Sequence, residues 1–219
     1  ALMPNIVNTS NWEDVGFNTN LTKPYGFTPG TGSSVLLCLA LGDTAARVTS
    51  IDAGGYTRYG SGALAVGGYQ MEFWIRNNVT GSPTTAAIIL DTSTFALVAA
   101  FNFDDDITGD EITSVNVANS STPTVDITAA SGSAVIMSFV SAFARTSSSP
   151  IPSGFALLAA GSQNHNSVYD ADVGAGGSLT VGCTMDGSNS WDAVALELTG
   201  AGGGGTSIPV VSAGLRQLM

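Results

Sequence analysis

Charge is what this sequence has least of. Only 11% of its 219 residues are Asp, Glu, Lys or Arg, less than half of the roughly 25% usual in a soluble domain. A surface so poor in Lys and Glu is one that neighbouring molecules can cover. Positive charge is scarcer still, with Lys23 the one lysine and Arg47, Arg58, Arg76, Arg145 and Arg216 scattered singly. The net charge of −11 repels phosphates and anionic headgroups at long range, and no basic stripe with interleaved aromatics exists. Nucleic acid and membrane are therefore not expected partners. No run approaches the eighteen or so apolar residues of a membrane-spanning helix.

Histidine and cysteine are almost as scarce. A nucleophilic triad needs a base beside its nucleophile, yet the single histidine, His165, sits in Ser162-Gln-Asn-His-Asn-Ser167, a polar stretch that reads as a loop. No Gly-x-Ser-x-Gly elbow occurs. Cys38 and Cys183 lie in apolar alternating runs rather than at metal-ligand spacing, so two buried free thiols are expected, with one disulfide as the alternative. Paired carboxylates of the glycosidase kind are not marked either: Asp170, Asp172, Asp186 and Asp192 fall in loop-like settings. The chain is expected not to be an enzyme.

One acidic stretch stands out. In Phe103-Asp-Asp-Asp-Ile-Thr-Gly-Asp-Glu111, the residues Asp104, Asp106, Thr108 and Gly109 match the opening positions of a calcium loop. Val115 then stands where the bidentate Glu belongs, and no helix flanks the loop. Asp104, Asp106 and Asp110 are thus candidate ligands of a weak Ca²⁺ site, against a plain solvated turn, and no other cofactor is expected. Trp12, Trp74 and Trp191 read as core residues, with sugar-stacking platforms as the alternative.

What the sequence has in abundance is period-two alternation. Over Tyr69–Arg76, Tyr69, Met71, Phe73 and Ile75 share one face, expected to meet the core, and Gln70, Glu72, Trp74 and Arg76 share the other. Further strands are predicted at Val35–Leu41, Arg47–Ile51, Ala86–Leu90, Phe95–Phe103, Val125–Thr128, Val135–Phe143, Phe155–Ala160, Leu179–Met185 and Ala193–Leu198. Turn-rich segments separate them: Pro29–Ser34, Ala53–Gly55, Gly60–Gly62, Ser147–Gly154 and Gly174–Gly177. No segment carries a 3.6-residue apolar stripe. The predicted fold is all-β, an antiparallel β-sandwich of jelly-roll type spanning 1–199. Gly-rich 200–207 reads as a linker. Residues 208–219 turn apolar again, as a C-terminal arm or an extra edge strand, with Ile208, Val210, Val211, Leu215 and Leu218 as its assembly contacts.

Arg47-Val-Thr-Ser-Ile-Asp-Ala-Gly-Gly-Tyr56, the aromatic-Trp strand Tyr69-Gln-Met-Glu-Phe-Trp-Ile-Arg76, the closing Ser190-Trp-Asp-Ala-Val-Ala-Leu-Glu-Leu198 and the Ile-Pro-Val arm together resemble a pattern in structural proteins of tailed-bacteriophage particles. The resemblance spans about a third of the chain. It implies a jelly-roll virion component located in the particle, either decorating the capsid or belonging to the tail or fibres, with other virion proteins and further copies of itself as partners. Pro4–Trp12 would then be a second, N-terminal arm. Two alternatives stay open: a tail or fibre module that binds host-surface glycans, and a secreted carbohydrate-binding or polysaccharide-active domain.

Overall fold

The computed structural model describes residues 4–66, 68–141, 147–158 and 165–200, and the Gly-rich linker and C-terminal arm lie outside them. The architecture is an antiparallel β-sandwich built in layers, and among the described residues the only helical element is a 3-10 turn at Asp52–Gly54. The strands are β1 (Ile6–Thr9), β2 (Glu13–Pro24), β3 (Ser34–Leu41), β4 (Val48–Ile51), β5 (Thr57–Val66), β6 (Tyr69–Arg76) and β7 (Thr85–Phe103) in the first half of the chain. The second half contributes β8 (Ile107–Ser120), β9 (Thr124–Ala129), β10 (Ala134–Ser141), β11 (Ser147–Ile151), β12 (Ala156–Leu158), β13 (His165–Asp170), β14 (Gly177–Met185) and β15 (Asn189–Gly200).

The two halves repeat one topology. A large sheet in the first half runs β1-β7-β3-β6-β5, and one in the second runs β12-β13-β10-β15-β8, the same order read from the other edge. Against each lies a three-stranded layer: β11-β14-β9 in the second half, and β4 with the C-terminal part of β2 flanking the start of β7 in the first. Strand β7 therefore does the work that β14 and β15 share. It bends where the pairing of Asn18 with Thr94 skips to Asn20 with Ile89, leaving Asp91, Thr92 and Ser93 exposed. Each half thus has eight strand segments in two packed sheets with the crossing connectivity of a jelly roll.

The repetition reaches individual hydrogen bonds. In the turn before β3, Gly32 takes φ +82°, Ser33 Oγ donates to Gly30 O at 2.7 Å, and Val79 N–H donates to Ser33 O at 2.9 Å. Before β10, Gly132 takes φ +72°, Ser133 Oγ donates to Ala130 O at 2.9 Å, and Val173 N–H donates to Ser133 O at 3.0 Å. Both turns need a left-handed residue that only glycine adopts without strain. A buried polar side chain on the adjacent strand completes each: Asn102 Nδ2 donates to Ser33 Oγ and Ser34 O, and Glu197 Oε1 accepts the Ala130 N–H at 2.6 Å.

The two large sheets pack face to face. Leu36, Cys38 and Ala40 of β3, with Met71, Phe73 and Ile75 of β6, meet Ile136 and Val140 of β10 and Val194, Leu196 and Leu198 of β15 in one central core. Their opposite faces are covered as well, Leu37, Leu39 and Trp74 by the β2/β4 layer and Met137, Phe139 and Trp191 by β9 and β14. All eight residues of β3 and all eight of β10 are buried, which is why both read as unbroken apolar runs rather than as alternation.

This double coverage corrects one expectation and overturns another. Tyr69, Met71, Phe73 and Ile75 do lie on the central-core side, Met71, Phe73 and Ile75 fully buried and Tyr69 partly so. Gln70 and Glu72, expected to face solvent, are buried too, because the second layer closes over them. Glu72 accepts the Trp74 indole N–H at 2.6 Å and the Val48 N–H at 3.2 Å. Burial raises its pKa against the lowering effect of those bonds. The Pro4–Trp12 segment is no arm for a neighbour: β1 pairs with β7 of its own sheet, and Trp12 enters the central core.

The tightest backbone approach in the second half is at Gly182, where an added Cβ would lie 2.1 Å from Pro123 O and 2.8 Å from Thr124 Cγ2. Because the obstacle is main chain, it cannot swing away. Gly182→Ala is expected to lower stability by about 1–3 kcal/mol, as overpacking does, read as a fall in the urea midpoint with unchanged m-value. An unchanged midpoint would show that the β9–β14 layer yields.

Candidate functional site

Among the described residues, a cleft of about 460 Å³ opens between the β1–β2 connection and the end of β2, lined by Thr9 to Glu13 and by Lys23 to Gly26. The connection is fixed at Ser10, whose N–H donates to Ala100 O at 2.8 Å and whose Oγ accepts the Ala100 N–H at 3.0 Å. Trp12 then reaches across to the second half, where its indole N–H donates to Ser167 Oγ at 3.2 Å and its ring meets His165 edge-on at 5.3 Å between centroids. Ser167 Oγ pairs in turn with Ser138 Oγ at 2.8 Å, and Ser138 hydrogen-bonds the Cys38 thiol. A chain of small polar groups therefore crosses the central core and satisfies each member's hydrogen-bonding capacity where water is excluded.

Lys23 dominates the cleft chemically. It is 1% exposed, and its Nζ donates to Asn11 O and Glu13 Oε2, both at 3.0 Å, while the Glu13 side chain is 50% exposed. Leu21 and Lys23 of β2, with Tyr25 just beyond its end, face inward, as Val125, Ile127 and Ala129 of β9 do in the other half. A charge occupies a position that the repeated topology fills elsewhere with an apolar side chain. Burial lowers the lysine's pKa, and the hydrogen bond and charge of Glu13 only partly offset that. Tyr25, at the floor, bonds the Tyr56 hydroxyl and has its pKa pushed up to about 12 by burial. Below them Asp52 pairs with Arg76 at 3.3 Å and also accepts the Ala87 N–H. Asp52 and Ala53 both take positive φ, +47° and +51°, a local strain held by those bonds.

The residues singled out from sequence fall elsewhere. His165 is not in a loop: it opens β13, 2% exposed, and burial lowers its pKa to about 4, leaving a neutral imidazole wedged against Trp12. Trp12, Trp74 and Trp191 are all buried, so none is a sugar platform. Cys38 and Cys183 are free and lie in different core layers. Burial holds both as thiols, Cys183 at about 12 and Cys38 higher.

The acidic residues are drawn into turns. Asp106 takes Asn78 N–H at 3.0 Å, Asn78 Nδ2 at 2.8 Å and Ser34 Oγ, and Asp104 takes the Asn5 N–H; the Asp110 side chain lies outside the described residues. Asp170 and Asp172 accept the N–H groups of Asp172 and Gly174, and Asp186 is exposed, but Asp192, read from sequence as loop-like, lies buried in β15 and accepts the Gly68 N–H at 3.0 Å. No three of His, Cys, Asp and Glu converge among the described residues. Lys23, Glu13 and Tyr25 were not singled out from sequence. The readable signal was a lysine in phase with Leu21 and Tyr25.

The fold and cleft define an all-β protein of two jelly-roll units packed through their large sheets, with one buried ammonium beside a surface cleft. Compared with family models, with curated proteins and with solved structures, the chain matches none of them.

Two measurements test this site. Removing Glu13 leaves the ammonium buried with only a carbonyl, whereas removing Lys23 leaves a carboxylate free to hydrate, so Glu13→Ala should destabilise more than Lys23→Met. Equal losses of melting temperature would contradict that asymmetry. For His165, the folded pKa of about 4 lies below the ordinary histidine value of 6.5, so the unfolded chain binds the extra proton. Its contribution is complete above pH 6.5 and is lost as pH falls from there toward 4. Denaturant titrations between pH 7 and 5 should show a decline that His165→Gln flattens; parallel declines would exclude His165 as the cause.

Proposed function

We propose that the chain is a non-enzymatic structural component of a tailed-bacteriophage particle, capsid-associated and acting through contacts with other virion proteins and with copies of itself. The observation that supports this reading is the layered block itself. The central strands of both large sheets are buried on both faces, so the chemistry-bearing side chains Cys38, Ser138, His165 and Ser167 are spent on internal packing and hydrogen bonds. What remains outside is a low-charge strand surface, with Asn18, Asn20, Thr22 and Thr49 on the first outer layer and Asp126, Thr128 and Thr180 on the second. Such a block supplies rigidity and contact area. The buried tryptophans weigh against glycan binding through stacked Trp, the alternative carried by the same resemblance.

Gradient-purified particles of the encoding phage should contain the chain in fixed stoichiometry by quantitative mass spectrometry. A version truncated after residue 207 should keep its melting temperature within about 1–2 °C, since surface changes away from packed features stay within about 0.5 kcal/mol, and be missing from the particle. Absence of the full chain from particles would sink the reading, and normal incorporation of the truncated chain would remove the assembly role of 208–219.

A further inference from the structure

We propose that the cleft between the β1–β2 connection and the end of β2 binds a carboxylate group, which takes the place of Glu13 on the Lys23 ammonium. Three observations carry this. First, an ammonium has three N–H donors, and Lys23 Nζ has two acceptors, Asn11 O and Glu13 Oε2; among the described residues the third donor has none. Second, the internal counter-ion is built to leave. Glu13 is the first residue of β2, its side chain is half exposed, and Lys23 is its one ion-pair partner among the described residues. Third, the inward residues of β9, the strand in the same place in the other half, are Val125, Ile127 and Ala129, all apolar. The fold therefore does not need a charge there, and a buried charge costs stability unless something offsets it.

The surroundings fit an anion with an apolar body. Pro24 supplies an exposed apolar wall in front of the buried rings of Trp12 and Tyr25, and Thr9 and Asn11 at the exposed rim supply a hydroxyl and an amide. The volume of about 460 Å³ lies in the range of small-molecule sites and admits one sugar ring or one amino-acid side chain. Exchange conserves charge: the incoming carboxylate forms the ion pair, and Glu13 swings into water, where hydration satisfies it. A phosphate would bring a second negative charge beside Glu13 in a molecule already at −11, which disfavours it. This inference stands whether or not the chain belongs to a virion.

The test uses the full chain, labelled with ¹⁵N, and two carboxylate probes from different sources: D-glucuronate for an acidic sugar and N-acetylglutamate N-methylamide for an acidic peptide side chain. Glucose and N-acetylglutamine N-methylamide are the uncharged counterparts. Backbone amide signals of residues 9–13 and 23–26 and the Trp12 indole signal should move with at least one carboxylate probe and stay in place with its uncharged counterpart. The tighter of the two probes identifies the source. Glu13→Gln, which keeps the lysine and removes its competitor, should tighten binding severalfold. Lys23→Met should weaken it about tenfold or more, the loss expected with a charge-assisted bond. If Lys23→Met does not fold, Lys23→Arg replaces it and should retain binding. No movement with either probe, equal movement with the uncharged compounds, or weaker binding in Glu13→Gln would overturn the proposal.

Discussion

The central strands of both large sheets bury both of their faces, and the rest of the molecule is arranged around that constraint. A sheet with one wet face can place a polar residue at every second position, but β3 and β10 have no wet face, so their eight residues each are almost wholly apolar or small. A polar group that does enter costs stability unless it finds a partner inside. Cys38, Ser138, Ser167 and the Trp12 indole do so as one continuous hydrogen-bonded chain through the central core. Glu72 does so with Trp74 and Val48 in the first outer layer. These bonds are modest in net stability but expensive to leave unmade, so they fix how the layers register on one another.

The same constraint explains why the N-terminal segment is integral. Strand β1 covers the edge of β7, and Trp12 is the side chain of the first unit that meets His165 and Ser167 of the second. The segment that reaches across the core thereby also forms one wall of the cleft, and Lys23 lines it too. Cleft geometry and the junction of the two units are thus mechanically linked through residues 10–13.

Repetition of topology gives a physical standard for what is unusual. Where the halves agree, as in the Gly-Ser turns before β3 and β10, the shared feature serves the fold: a left-handed glycine, a serine bonded back to the turn, and a buried polar side chain on the neighbouring strand. Where they differ, the difference needs a separate reason. Lys23 against the apolar inward residues of β9 is such a case, and Asn102 against Glu197 is not, since each caps the corresponding turn of its own half.

By itself the sequence determined the class of structure. Alternation at Tyr69–Arg76, the apolar runs at Val35–Leu41 and Val135–Phe143, and glycine at the turns leave an antiparallel β-sandwich as the way to bury those side chains, because strand periodicity and turn chemistry are local properties. The repeat was present too, as Thr31-Gly-Ser-Ser-Val-Leu-Leu-Cys38 against Ser131-Gly-Ser-Ala-Val-Ile-Met-Ser138, though three identities in eight residues of turn and apolar strand carry little contrast. Tertiary structure alone decided which strands are covered twice. Gln70, Glu72 and His165 carry polar side chains and so read as solvated, yet a second layer from distant segments closes over them. It also decided that Glu13, ten residues from Lys23 in sequence, meets it at 3.0 Å, because only the pairing of β2 along a bent β7 brings the strand's two ends to one cleft.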